Sequence, residues 1–219
     1  MSSKNNYVVF DGSIGVGKSY LINKLHNLLS AETLSQLCFV QEPVDKYSTF
    51  KSKYNPLQLS NESPFEYSGW CQLHIINTLE SSFKAIENSN TIVAERGIHS
   101  CRVFNATNHA MVYYDDFIYD FLESKIDDAL KRCKLDETGP NKTILVEASV
   151  DCCVQRIIFR NRGEEKKLRF MGGYLRELQN QYCAFGEILE ESGHKVFRIQ
   201  NNVEPTEATL QAMVDYILE

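Results

Sequence analysis

The chain has 219 residues, of which 43% are hydrophobic and 24% are charged, and its net charge at pH 7 is −6. This length suits one domain with a full core, and the acidic balance argues against a surface built to bind nucleic acid. No apolar run approaches the roughly 20 residues that span a bilayer, and the N-terminus has no signal core, so we expect a cytoplasmic protein that does not bind membranes. The seven cysteines include no Cys-x-x-Cys pair, which favours buried thiols over disulfides or a zinc site.

The first predicted strand, Tyr7–Phe10, leads into the sequence Gly-Ser-Ile-Gly-Val-Gly-Lys-Ser and then into a predicted helix from Gly17 to about Ser30. Glycines let such a loop curl so that backbone N–H groups point at phosphates, and the helix N-terminus adds partial positive charge. In this pattern Lys18 reaches the outer phosphates and the Ser19 hydroxyl ligates Mg²⁺. The predicted nucleoside triphosphate site consists of Gly12, Ser13, Ile14, Gly15, Val16, Gly17, Lys18 and Ser19.

A carboxylate follows the second predicted strand, Leu37–Val40. Pro43 biases the preceding residue, Glu42, towards extended geometry, which holds its carboxylate at the sheet edge that faces the phosphate loop. A carboxylate in that place can accept a proton from an attacking hydroxyl. A long predicted helix, from Phe65 to about Asn88, comes next.

The third predicted strand, Thr91–Ala94, ends in an acid and a base, Glu95 and Arg96. An acid that ends an apolar strand near a phosphate loop is suited to hold Mg²⁺ through its waters. The arginine can pair with Glu42 and keep that carboxylate ionised. Taken one at a time, each residue is equally compatible with a plain surface ion pair.

A rival magnesium acid follows the next strand. A predicted helix from Tyr113 to Lys134 leads to the strand Thr143–Val146, which is as apolar as the third strand and is followed by Glu147. The sequence leaves open whether Glu95 or Glu147 assists the metal.

The helix predicted from Val150 to Arg162 opens a basic segment that ends at the pair Gly172-Gly173. An arginine-rich turn between a helix and paired glycines predicts a mobile lid, at about residues 160–173, that closes over the triphosphate. A solvated, charged helix face is the alternative. The basic residues are Arg156, Arg160, Arg162, Lys166, Lys167 and Arg169, against the acids Glu164 and Glu165.

The last predicted elements are a helix from Tyr174 to Glu191, a strand over Lys195–Ile199 and a helix from Pro205 to Leu218. Alternating strands and helices, with a phosphate loop after the first strand, predict an α/β fold with one open, five-stranded parallel sheet and helices on both faces. In such sheets the ligand lies over the carboxyl ends of the strands. We expect a single domain over residues 1–219.

Four motifs stand in the order found in the deoxyribonucleoside kinase family, which the chain resembles from about Tyr7 to Asn202. They are the phosphate loop, Glu42-Pro43-Val44, Glu95-Arg96-Gly97 and the Arg-x-Arg-x-Glu-Glu sequence at residues 160–165. The resemblance implies a P-loop kinase fold and transfer of the γ-phosphoryl group of ATP, with Mg²⁺, to the 5′-hydroxyl of a deoxyribonucleoside for nucleotide salvage. It also implies a homodimer formed through the long helices.

On the acceptor side, the resemblance assigns Glu42 as the base that takes the 5′-hydroxyl proton and Arg96 as its neighbour at that end of the nucleoside. Glu165 of the lid grips the sugar 3′-hydroxyl, with Tyr54 as its partner. On the donor side, Glu95 helps Ser19 to place Mg²⁺. The other donor-side residues implied are Lys18, Arg160 and Arg162 at the phosphates, Arg156 against the adenine, and Asn201 in the backbone around it.

The resemblance implies base recognition by a glutamine on the long helix, and Gln72 fits best because its distance to Glu95 in the sequence matches the family. A carboxamide can offer both a donor and an acceptor to a base edge. Ile75 and Leu79 lie on the same helical face, and Glu66 is a rival to Gln72. Family members that accept purines and deoxycytidine carry Arg and Asp at the positions assigned to Leu79 and Cys101. Their absence leaves an uncharged pocket, closer to that of the pyrimidine-preferring members that take thymidine, so we expect thymidine or deoxycytidine as the substrate.

Three positions depart from the family's pattern. Gly97 replaces the serine of the third motif, and Asn105 stands where the family stacks an aromatic ring on the base, with Phe104 just before it. Tyr47 stands where many members carry a tryptophan after the Glu-Pro-Val motif.

Three other functions compete. A nucleoside monophosphate kinase of the thymidylate kinase type shares the sheet and the loop, but Glu42 would repel its dianionic acceptor. A GTP-binding switch would need Asn-Lys-x-Asp, whereas Asn141-Lys142 is followed by Thr143 and Ile144. A nucleotide-binding module without catalysis would not need Glu42, Arg96 or the lid arginines.

Overall fold

A computed structural model describes residues 6–46, 64–84, 86, 91–161 and 172–219. Its strands in chain order are β1 (Asn6–Asp11), β2 (Leu37–Val40), β3 (Thr91–Glu95), β4 (Lys142–Glu147) and β5 (Lys195–Gln200). The helices are α1 (Lys18–Leu28), α2 (Ala31–Gln36), α3 (Pro64–Lys84), α4 (Ser100–Ala110), α5 (Asp116–Arg132), α6 (Val150–Arg160), α7 (Gly172–Glu191) and α8 (Glu207–Leu218).

The five strands form one parallel sheet in the order β2-β3-β1-β4-β5, so β1 lies at its centre. Phe10 of β1 lies opposite Glu95 of β3 on one side and Ile144 of β4 on the other. The carboxyl ends of these strands therefore meet at one edge, where the phosphate loop begins.

Helices pack their apolar sides on both faces of the sheet. Successive side chains of β1 point to opposite faces, so the strand contributes to an apolar core on each face. Val8 and Phe10 pack on one face, while Tyr7 and Val9 pack on the other. The first face buries Leu21 and Leu25 of α1 with Met213 of α8, and the second buries Ile76 of α3 with Ile126 and Leu130 of α5. No helix in the described part of the chain is both long and apolar enough to cross a membrane.

All five predicted strands are present, but several predicted helix ends were wrong. The helix expected from Tyr113 begins at Asp116, because the Asp115 side chain accepts a hydrogen bond from Ile118 N and so caps that turn. The helix expected to reach Arg162 ends at Arg160, because Asn161 adopts the left-handed conformation (φ 48°) typical of helix termination. The long helix ends at Lys84 rather than near Asn88.

Two helices, α2 and α4, were not among the predicted elements. The buried side of α4 includes Ser100, Cys101, Asn105 and Thr107, with Val103 as its one strongly apolar member. Since apolar periodicity is the main signal for a helix, a buried face made of small and polar side chains does not reveal itself in the sequence.

Candidate active site

The phosphate loop follows β1 in the conformation that its glycines permit. Gly12 has φ 136°, and a Cβ atom added to it would lie 2.2 Å from the Val146 carbonyl oxygen, so no larger residue fits. Lys18 is buried, and its Nζ donates to the carbonyl oxygens of Gly12 (2.8 Å) and Ser13 (3.0 Å). Burial, with the Arg96 charge nearby, lowers the pKa of Lys18 to about 8.

Two side chains from the segments that follow β4 and β5 hold the loop in place. Arg156 of α6 donates to the carbonyl oxygens of Val16 (2.9 Å) and Asn201 (2.6 Å). The Asn201 amide, after β5, donates to the same Val16 oxygen (2.7 Å). Both residues were predicted to bind ATP, and the structure brings both of them to the phosphate loop. Their contact with the adenine stays a prediction.

A cavity of about 430 Å³ opens beside the loop. Its wall includes Gly17, Ser19, Arg156, Arg160, Asn201 and Val203. It is large enough for a nucleotide base and sugar, and it brings Arg160 of the predicted lid to the donor side.

The two rival magnesium acids lie in different surroundings. Glu95 accepts a hydrogen bond from Ser19 Oγ at 2.5 Å, so the two predicted magnesium ligands are in contact. Glu147 instead accepts from Arg198 Nη1 (3.2 Å) and from Gln200, both of which belong to β5.

The contact between Ser19 and Glu95 fits a magnesium ion that arrives on a nucleotide, because Mg²⁺ is commonly held by one or two protein oxygens together with substrate phosphates. Within residues 6–46, 64–84, 86, 91–161 and 172–219, no group of three or more His, Cys, Asp or Glu side chains is arranged to hold a metal.

Glu42 and Arg96 form the ion pair expected from their strands. Arg96 Nε lies 2.8 Å from Glu42 Oε1, and the two side chains are only 5% and 17% exposed. Arg96 also has a left-handed backbone (φ 66°), which is rare for a residue with a Cβ atom and is typical of functional sites. Its N–H donates to the Phe10 carbonyl oxygen at 3.1 Å, which helps to hold this strained conformation beside the phosphate loop.

Arg96 has two further partners that sequence reasoning missed. The Phe104 ring lies 4.3 Å from the guanidinium carbon, and Arg96 Nη1 donates to the Tyr182 hydroxyl at 2.7 Å. Phe104 had been noted only as the neighbour of Asn105. Tyr182 lies 86 residues further along the chain, in a helix with no motif of its own, so no local signal marked it.

At the predicted base-binding end, the structure brings Gln72 and Cys101 together. Gln72 is buried, and its Nε2 donates to the Cys101 carbonyl oxygen at 3.1 Å. Ile75 is half-buried beside them, whereas Leu79 is fully buried in the core between α3 and the sheet. Tyr54, Arg162 and Glu165 lie outside the described residues.

The family model for deoxynucleoside kinases matches residues 8–219. The chain belongs to this family. It is also similar to the deoxyguanosine kinase of Dictyostelium discoideum, with 25% identity over 209 residues. The match covers 90% of this chain and 66% of that relative, so the chain spans just under two thirds of the relative's length. The family and the P-loop kinase fold predicted from the motifs are thus confirmed.

The structure gives a physical reason for the first departure from the family's motifs. A Cβ atom added to Gly97 would lie 2.3 Å from the Tyr7 hydroxyl oxygen, so the tyrosine occupies the space that a serine would need.

The second departure, Asn105, faces away from Arg96. Its Nδ2 donates to the Tyr119 carbonyl (3.1 Å) and to Glu123 (2.7 Å), both of α5, so it supports helix packing. The aromatic ring nearest to Arg96 on α4 is that of Phe104.

Proposed function

We propose that this chain transfers the γ-phosphoryl group of ATP to the 5′-hydroxyl of a pyrimidine deoxyribonucleoside, thymidine or deoxycytidine, in nucleotide salvage. The observation that carries this proposal is the ion pair of partly buried Glu42 with buried Arg96, joined at 2.8 Å. Glu42 follows β2 and Arg96 follows β3, and the phosphate loop begins at the end of β1, the strand next to β3. A carboxylate paired with an arginine beside a triphosphate site is suited to take a proton from an alcohol.

In this mechanism, Glu42 accepts the 5′-hydroxyl proton while Arg96 stabilises the carboxylate and the incoming oxygen. Lys18 exchanges its carbonyl partners, Gly12 and Ser13, for phosphate oxygens. Arg160 and Arg162 offset the negative charge that spreads over the transferring phosphoryl oxygens. Ser19 and Glu95 would hold Mg²⁺, which would neutralise phosphate charge when bound.

For the sugar, the proposal assigns Glu165 and Tyr54 to the 3′-hydroxyl. For the base, it assigns Gln72, whose carboxamide offers one donor and one acceptor and so matches the edge of thymine or cytosine. Guanine presents two donors beside its acceptor, which calls for a carboxylate, and Leu79 and Cys101 supply no charge. The deoxyguanosine kinase among the relatives makes deoxyguanosine the second candidate substrate.

We also propose a homodimer formed through α3 and α5. Gly69 of α3 lies against Ile118 of α5, and the neighbouring side chains Trp70 and Phe117 are 63% and 79% exposed. Large aromatic side chains exposed on neighbouring helices are typical of an interface. Sedimentation should give a dimer, and Phe117→Asp should shift it towards monomer; a wild-type monomer would contradict this part of the proposal.

The reaction is tested by phosphoryl transfer from ATP–Mg²⁺ to thymidine, deoxycytidine, deoxyguanosine and the three corresponding 5′-monophosphates. We expect the pyrimidine nucleosides to react fastest and the monophosphates to be inert, because Glu42 repels a dianion. Turnover of deoxyguanosine alone would replace the pyrimidine assignment, and turnover of monophosphates alone would favour the thymidylate kinase type.

Glu42→Gln tests the catalytic base on the same assay. We expect kcat to fall by about 10²–10⁴-fold while nucleoside binding persists, because the amide keeps the shape and loses the basicity. Glu147→Gln is the matched control, since this carboxylate also ends a strand but is bound to Arg198, and its kcat should stay near that of the wild type. Near-normal turnover in Glu42→Gln would refute its role as the base.

A further inference from the structure

We propose that Tyr182 is a positioning residue for phosphoryl transfer, whose buried hydroxyl holds the Arg96 guanidinium in place. The inference rests on the proposed roles of Arg96 and Glu42 and extends them to α7, the helix that follows the predicted lid.

Tyr182 and Arg96 are in direct contact. Arg96 Nη1 donates to the Tyr182 hydroxyl at 2.7 Å, and the two residues are 4% and 3% exposed. Burial and the Asp11 carboxylate raise the pKa of Tyr182, so the hydroxyl keeps its proton while its oxygen accepts this bond. A bond that involves a buried charge is stronger than a neutral one and fixes its partner's direction.

Asp11, whose charge acts on the Tyr182 hydroxyl, is itself fixed in place. It is the last residue of β1 and is almost fully buried. One carboxylate oxygen accepts from Ser100 Oγ at 2.6 Å, and the other accepts from Gly12 N at 3.1 Å. The Asp11 charge is therefore held next to Gly12, the first residue of the phosphate loop.

The result is a guanidinium whose plane is fixed. Glu42 Oε1 forms an ion pair with the guanidinium, 2.8 Å from Nε, Nη1 donates to Tyr182, and the Phe104 ring covers one face at 4.3 Å. A planar cation held by an ion pair, by one hydrogen bond and by a ring on one face has little freedom to rotate. Since an error of about 1 Å in a catalytic group can cost roughly 10²-fold in rate, loss of one restraint should be visible in turnover.

The test compares Tyr182→Phe with Tyr174→Phe in the full-length protein, with ATP–Mg²⁺ and the acceptor that the wild type phosphorylates best. Tyr174 is a buried tyrosine on the same helix, but its hydroxyl donates to the neutral side chain of Asn108. We expect Tyr182→Phe to lower kcat by about 10- to 100-fold with the KM for ATP within about 2-fold of the wild type, and Tyr174→Phe to leave both nearly unchanged.

A double-mutant cycle shows whether the effect passes through Arg96. In an Arg96→Lys background, which keeps the charge but removes the planar fork, the loss of kcat caused by Tyr182→Phe should shrink to less than about 3-fold. A kcat for Tyr182→Phe within about 2-fold of the wild type would overturn the proposal, and so would an equal loss in both backgrounds.

Two other causes of low activity can be told apart from an error about Tyr182. One is misfolding of the variant, and the other is a wrong assignment of the acceptor substrate. Circular dichroism reports the fold, and if Tyr182→Phe does not fold, Tyr182→Met, which also fills the buried site with an apolar side chain, takes its place in the same cycle. Tyr182→Met should then lower kcat less in Arg96→Lys than in the wild type, and equal losses would overturn the link. An error in the substrate assignment appears in the choice of acceptor, whereas an error about Tyr182 appears in the ratio of kcat values.

Discussion

At the scale of single residues, the site departs from its family's motifs where a neighbouring atom already fills the space. Gly97 stands beside Tyr7, whose hydroxyl lies where a serine Cβ would be. Tyr7 is fully buried between the sheet and Phe83, so its ring cannot move aside without disturbing the core. The glycine in the third motif is therefore a consequence of the tyrosine in β1.

Gly97→Ser should destabilise the protein by about 2–3 kcal/mol, because the added atoms overlap the Tyr7 hydroxyl in a packed core. In the Tyr7→Phe background most of this loss should disappear, since the clashing oxygen is gone. Urea unfolding of the four proteins measures both effects. Gly173→Ser is the control, because among the described residues nothing lies within 4 Å of its Cβ position. An equal loss with and without the Tyr7 hydroxyl would show that the clash is not the cause.

At the scale of elements, α4 is held by polar contacts rather than by an apolar stripe. Asn105 is fully buried, and it accepts a hydrogen bond from the Tyr114 hydroxyl at 2.5 Å while donating to Glu123 at 2.7 Å. Arg102 of the same helix pairs with Glu123 at 2.5 Å and with Asp127. These bonds set the position of α4, and so they set where Phe104 meets Arg96.

Asn105→Leu should lower the free energy of unfolding by about 2–4 kcal/mol, because the Tyr119 carbonyl and one Glu123 oxygen lose their buried donor and the Tyr114 hydroxyl keeps only the backbone carbonyl of residue 105. Asn180→Leu, at an exposed position of α7, controls for the general effect of the substitution. Equilibrium urea denaturation provides the comparison. If both variants lose the same small amount, the polar contacts of Asn105 do not stabilise α4.

At the scale of the whole molecule, the stability of the fold depends on groups that are buried in one ionisation state. His99 is buried beside the Tyr7 ring, and its Nε2 is 2.6 Å from the Asp136 carbonyl oxygen. The charged or titratable groups that face it are Arg102, Asp136 and His194. Burial lowers the pKa of His99 from 6.5 to about 4, so the histidine is neutral in the folded protein.

The unfolded chain takes up a proton on His99 near pH 6.5, whereas the folded protein does so only near pH 4. The contribution of His99 is therefore present above pH 6.5 and is lost as the pH falls towards 4, by about 3 kcal/mol at most. Unfolding free energies measured between pH 4.5 and 7.5 should fall less steeply for His99→Gln than for the wild type, with His26→Gln as the surface control. An unchanged slope in His99→Gln would contradict this account.

The sequence alone determined the strands, the phosphate loop and the meeting of Glu42 with Arg96. Apolar runs locate buried parallel strands, and the carboxyl ends of such strands lie at one edge, so local patterns suffice for these features. Only the tertiary structure decided between Glu95 and Glu147 as the partner of Ser19, because the choice depends on Arg198 in a neighbouring strand.

The tertiary structure also decided the surroundings of Arg96. The position of α4 depends on buried polar contacts that leave no apolar period, and Tyr182 reaches Arg96 only because α7 packs beside α4. The local sequence carries the secondary-structure propensity and the apolar periodicity of each segment. Arg96 and Tyr182 are 86 positions apart, so their contact forms only when separate elements pack together, and no single segment encodes it.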